Sequence, residues 1–79
     1  MDAWTEKENR LEKTYSFHSF SDAMAWMVKA SYFIEKQDHH PIWTNTYNKV
    51  HVILSTHSAG NIVTEKDRQL AEYLDKIYS

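Results

Sequence analysis

Pro41 is the only proline among the 79 residues, and it divides the apolar pattern of the chain in two. The residue before a proline is pushed out of the helical region, so no helix runs on through His40. N-terminal to it, Phe20, Ala23, Met24, Met27, Ala30, Ser31 and Ile34 recur at three- and four-residue spacing, with Trp26 and Phe33 widening the stripe. That period predicts a helix over 21–37, capped by Ser19 or Ser21, with Asp22 at the positive end of its dipole. Its methionines and aromatics read as core rather than as a cofactor contact. C-terminal to the proline the period falls to two. Over 47–56, Val50, Val52 and Leu54 face one way and Lys49, His51 and Ile53 the other, which predicts a strand. A shorter strand over 42–45 precedes it, with Asn45-Thr46 as the turn.

The flanking segments complete the order. Residues 4–17 read as a hairpin: Leu11, Tyr15 and Phe17 alternate with Glu12, Thr14 and Ser16, Glu8-Asn9-Arg10 is the turn, and Trp4 to Lys7 is an edge strand. Ser58-Ala59-Gly60-Asn61 holds the only glycine and is turn chemistry. Residues 65–78 read as a second helix with Leu70, Ala71, Leu74 and Ile77 or Tyr78 as its stripe. Thr64-Glu65-Lys66-Asp67 has the form of a capping box, with Asp in place of Glu or Gln. The order ββαββα predicts an α+β fold in one domain over 1–79: a four-stranded antiparallel sheet with the helices packed on one face.

Size and charge narrow the function. A chain this short buries only about 60% of its unfolded surface, and it has no cysteine to staple it. Oligomerisation is the remaining common remedy, and three Trp, five Tyr and three Phe supply material for an interface, so a homo-oligomer (dimer or tetramer) is expected. The net charge of −2 includes no basic block, which argues against nucleic acid. No apolar run approaches the roughly 20 residues that span a bilayer. Met1-Asp2-Ala3-Trp4 lacks the basic and apolar regions of a signal peptide, so a cytoplasmic protein is expected.

Three of the five histidines fall near the proline: His39 and His40 directly before it, and His57 at the far end of the strand that follows. Imidazole gives and takes protons near neutrality. Glu35, one helical turn before His39, can orient a ring. In extended backbone His39 and His40 point to opposite sides. If 42–45 and 47–56 pair as a hairpin, His57 folds back beside them, and Trp43 and Tyr47 offer flat walls. Such a pocket suits a planar heterocycle and proton transfer without a cofactor. Elimination of water needs an acid for the departing hydroxyl and a base for the neighbouring proton. There is no Cys, no Ser in a nucleophile-elbow context and no Gly-rich phosphate loop. Three His and a carboxylate also form a familiar zinc set. Adjacent histidines do not easily reach one tetrahedral ion, however, so no metal is expected.

Each residue also has a plainer reading. His18 and His51 read as surface histidines, Asp67 as a helix cap and Glu35 as a solvated residue of the last turn. Trp43 fits packing as well as a pocket wall. Asp38 fits a cap or a ligand equally.

Glu35-x-x-x-His39-His40-Pro41, Trp43, Tyr47-Asn48-Lys49-Val50, Leu54-Ser55-Thr56-His57 and Asp67 together resemble the pterin-4a-carbinolamine dehydratases, from about Trp4 to Ile77. The resemblance implies dehydration of 4a-hydroxytetrahydropterin to quinonoid dihydropterin, as in tetrahydrobiopterin recycling. It implies His39 and His57 as the acid–base pair, Glu35 in support of a histidine, and His40, Pro41 and Trp43 as substrate-binding residues. Family members usually carry a further helix of roughly 20 residues before the position of Trp4, a few turns in length. The segment Ser58 to Val63 is one residue longer than usual. Some relatives serve instead as dimerisation partners of a homeodomain transcription factor, so a non-catalytic, coactivator-type interaction module is the alternative. Turnover separates the two.

Overall fold

Leu11, Lys13 and Tyr15 turn inward on one strand and Val50, Val52 and Leu54 on the next, and these alternations define the inner face of the sheet. The structure is a computed structural model, and it describes residues 3–78. Met1, Asp2 and Ser79 lie outside the described residues, and with them the ends of the expected 1–79 domain and part of the signal-peptide reading.

The elements are β1 (Thr5–Lys7), β2 (Arg10–Ser16), α1 (Phe20–Gln37), β3 (Ile42–Thr46), β4 (Lys49–Leu54) and α2 (Glu65–Lys76). A single 3-10 turn, His57–Ala59, sits between β4 and α2. The sheet order is β1-β2-β4-β3, antiparallel throughout. This is the expected α+β architecture. Glu8 and Asn9 both take positive φ, 53° and 63°, as a two-residue hairpin loop requires. Against the inner face pack Ala23, Trp26, Ala30 and Ile34 of α1 and Leu70, Ala71 and Leu74 of α2. Among the described residues, no helix is long and apolar enough to cross a membrane.

One inward position is charged. Lys13 is buried between Leu11 and Tyr15, and its Nζ donates to Asp75 Oδ1 of α2 at 2.8 Å. Trp4 Nε1 donates to the other oxygen of that carboxylate at 3.2 Å, and the Tyr15 hydroxyl also donates to Oδ1. The ammonium lies 4.8 Å from the centre of the Tyr15 ring, so the charge is met by both a carboxylate and an aromatic face. This cluster ties the C-terminal half of α2 to β2.

Three expectations are corrected. The second turn is Tyr47-Asn48, not Asn45-Thr46: β3 runs on to Thr46, and β4 covers 49–54 rather than 47–56. The reason lies in the asparagine side chains. Asn45 Nδ2 donates across the turn to Tyr47 O at 3.1 Å and Lys49 O at 2.9 Å, while Tyr47 takes the left-handed conformation, φ 53°. Helix α2 ends at Lys76 instead of 78, with Ile77 as its cap. On α1, Phe20, Met24 and Ser31 are exposed rather than part of the core. Two alanines decide the matter: Ala23 and Ala30 are fully buried and let the backbone approach the sheet, so the inward direction is centred on them.

The sheet positions the site. Ile42 pairs with Ile53, so the start of β3 and the end of β4 lie at one end of the sheet. The chain entering β3 through His39-His40-Pro41 and the chain leaving β4 through Ser55-Thr56-His57 therefore emerge side by side.

Candidate active site

Helix α1 stops at Asp38, which takes the left-handed conformation with φ 52°. Asp38 N donates to Glu35 O at 3.2 Å and His39 N to Ile34 O at 3.3 Å, the paired bonds of a helix end that turns sharply. Asp38 is thus the cap, and its side chain is exposed. The turn throws His39 towards the first turn of α2.

There it meets Asp67, which is wholly buried. His39 Nε2–H donates to Asp67 Oδ1 at 2.6 Å. The other oxygen, Oδ2, accepts from Thr56 Oγ1 at 2.7 Å and from the backbone N–H of Thr64 at 2.9 Å. A buried carboxylate without partners is strongly destabilising, so these donors are a condition of the fold as well as of the site. Thr56 Oγ1 is in turn 2.6 Å from Thr64 Oγ1. With Nε2 committed to the carboxylate, Nδ1 is the nitrogen of His39 left for other work.

His57 directly follows Thr56. One carboxylate thus holds the ring of His39 on one oxygen and the residue before His57 on the other. The His57 ring is exposed, and its Nδ1 lies 3.1 Å from Asn61 Oδ1. His40 is largely exposed, 61% of its side chain, with Nδ1 4.0 Å from Asp38 Oδ1. Pro41 is half-buried. Trp43 turns to the inner face opposite Val52 and packs on Trp26, ring centres 6.2 Å apart. Glu35 is exposed and the carboxylate on His39 belongs to Asp67 instead. Tyr47 stands in the turn at the opposite end of β3 from Pro41. The hollow that His39 lines, with Phe33, Gln37, Lys66, Gln69 and Leu70, has a volume of about 40 Å³. That is room for one water, not for a bicyclic ring. Among the described residues, no three His, Asp or Glu side chains gather as a metal-binding group.

Sequence reasoning found the cap in Asp67 and missed its bond to His39. It also missed Thr56. A signal was present: Val50, Val52, Leu54 and Thr56 continue one inward series, so the Thr56 hydroxyl had to find a buried partner.

The model of the family Pterin 4 alpha carbinolamine dehydratase matches residues 1–77. A protein of Opitutus terrae, provisionally named a pterin-4-alpha-carbinolamine dehydratase, is 49% identical over 74 residues, covering 94% of this chain and 76% of its own length. The crystal structure of a transcriptional coactivator/pterin dehydratase from Brucella melitensis superposes with a TM-score of 0.93 at 39% identity, over 99% of this chain and 84% of that one. A pterin dehydratase-like protein identified as a RuBisCO assembly factor in the alpha-carboxysome shares the fold, with a TM-score of 0.81 at 22% identity over 99% and 94% of the two chains.

Proposed function

The chain belongs to the pterin 4 alpha carbinolamine dehydratase family, and on that premise we propose that it dehydrates a 4a-hydroxytetrahydropterin by histidine acid–base chemistry. The observation that carries this reading is the Asp67 carboxylate, which fixes His39 and tethers Thr56 beside His57. In the reaction, an acid gives a proton to the departing hydroxyl and the C–O bond breaks with its electron pair on oxygen. A base takes the proton from the adjacent ring nitrogen, whose N–H electrons become the new C=N bond. Water and quinonoid dihydropterin result, and the two protons balance without a cofactor.

His39 and His57 are the acid–base pair in this proposal, and either can take either role. His40 and Pro41, which follow His39 directly in the chain, bind the substrate in this proposal, because the hollow that His39 lines with Phe33 and Lys66 is too small. Trp43 also binds the substrate in this proposal, and Glu35 supports the histidines by its charge. The protein acts in the cytoplasm on a free pterin, in tetrahydrobiopterin recycling or on another pterin of the same oxidation state. It does so as a homo-oligomer, a dimer or a tetramer. The support for assembly is the outer face of α1, where Phe20, Met24, Val28 and Tyr32 stand exposed four residues apart. The same face would serve the alternative, an interaction module without turnover.

Stopped-flow dehydration of freshly generated 4a-hydroxypterin tests the proposal. The expected result is catalysis by the native protein and a loss of about 10²- to 10⁴-fold in kcat for His39→Ala and for His57→Ala, with folding intact. A native rate equal to the spontaneous one would leave the interaction module as the better account.

A further inference from the structure

We infer that Asn61 is a positioning residue that selects the tautomer of His57 and so presents its Nε2 lone pair to the substrate. For its kinetic consequence only, this inference rests on the proposed acid–base pair and assigns His57 the role of base within it.

The backbone of the loop after β4 is fixed at both ends. Thr56 N donates to Ile62 O at 2.8 Å, and Asn61 N returns a bond to Thr56 O at 3.0 Å. Between them, Ala59 N bonds Thr56 O and Gly60 N bonds His57 O. Gly60 and Asn61 take successive left-handed conformations, φ 88° and 61°, which reverse the chain tightly enough to bring residue 61 back beside residue 57. The Asn61 Oδ1 then lies 3.1 Å from His57 Nδ1. The anchor of this loop, Thr56, is the same residue whose hydroxyl holds Asp67, so the placement of His57 and that of His39 share one fixed point.

An amide oxygen only accepts, so Nδ1 of His57 carries the hydrogen. A neutral imidazole has one N–H, which leaves Nε2 bare as the base. Without a partner the ring is free to carry its proton on Nε2, where it cannot accept another. Asparagine at positive φ has a simpler explanation, since it tolerates the left-handed region better than most residues. Glycine tolerates it better still. Asn61→Gly therefore keeps the backbone and removes only the amide, while Asn61→Asp keeps an acceptor for Nδ1–H.

The test records imidazole nitrogen chemical shifts of His57 by NMR, with the ring neutral, in the native protein and both variants, alongside kcat and KM. The native ring is expected to be protonated at Nδ1. Asn61→Gly should lose that preference and lower kcat about two- to tenfold, the scale of one hydrogen bond, with KM little changed. Asn61→Asp should restore both. A native ring protonated at Nε2, or a glycine variant with the native tautomer and native kcat, overturns the inference. If the tautomers behave as stated but the native protein shows no turnover, the inference stands and the dehydratase proposal is what fails.

Discussion

Asp67 accepts from the ring of His39, the hydroxyl of Thr56 and the N–H of Thr64, and its two jobs differ in how far they can be read from sequence. The cap is local: Thr64 and Asp67 are three residues apart, and the spacing alone predicts their exchange. The bond to His39 spans 28 positions and depends on a left-handed Asp38 that aims the ring at α2. No periodicity encodes that aim. Tyr15 is a second residue whose chemistry comes from its surroundings. Burial raises its phenol far above the ordinary range, and the hydrogen bond to the Asp75 carboxylate adds to the shift. The unfolded phenol titrates near 10. The native state therefore retains a proton that the unfolded chain releases, and the stabilisation is complete below about pH 10 and is lost above it. Unfolding free energy should fall above that pH by up to about 1.4 kcal/mol per unit. Denaturant titrations of Tyr15→Phe should lack that component; an identical decline in the variant would remove Tyr15 as its source.

Among the elements, those whose alternation meets one buried face were the most legible. Val50, Val52 and Leu54 point inward as their spacing requires, and the hairpin turn at Glu8-Asn9 lies where its residues place it. The turn after β3 was not legible, because Asn45 and Asn48 act there through their side chains while Tyr47 takes the positive φ usual for asparagine or glycine. Helix α1 misled for another reason: it has apolar residues on two sides. Every exposed position on α2 from Glu65 to Lys76 is charged or a glutamine, as expected of a solvated helix. On α1 the exposed row is Phe20, Met24, Val28 and Tyr32, along a helix of 18 residues and so about 27 Å. A second copy of the same helix is the occupant of that row in the proposed oligomer. Val28→Glu should lower the mass seen by sedimentation to that of the monomer and leave the helical circular dichroism unchanged, since a surface change of this kind costs the fold only about 0.5 kcal/mol. A native protein that sediments as a monomer, or a variant of unaltered mass, would contradict assembly through α1.

For the molecule as a whole, what the fold contributes to the proposed function is to bring two connections to one sheet end. Antiparallel pairing of Ile42 with Ile53 sets His39-His40-Pro41 beside Thr56-His57, and the first turn of α2 closes the space between them with Asp67. The most direct measurement on this arrangement is an NMR titration with an unreactive 7,8-dihydropterin, following the side-chain resonances of all five histidines. The account predicts that those of residues 39, 40 and 57 shift together along one binding curve while those of 18 and 51 stay still. Saturable binding that moves His18 or His51, or that leaves His57 unaffected while His39 responds, would contradict it.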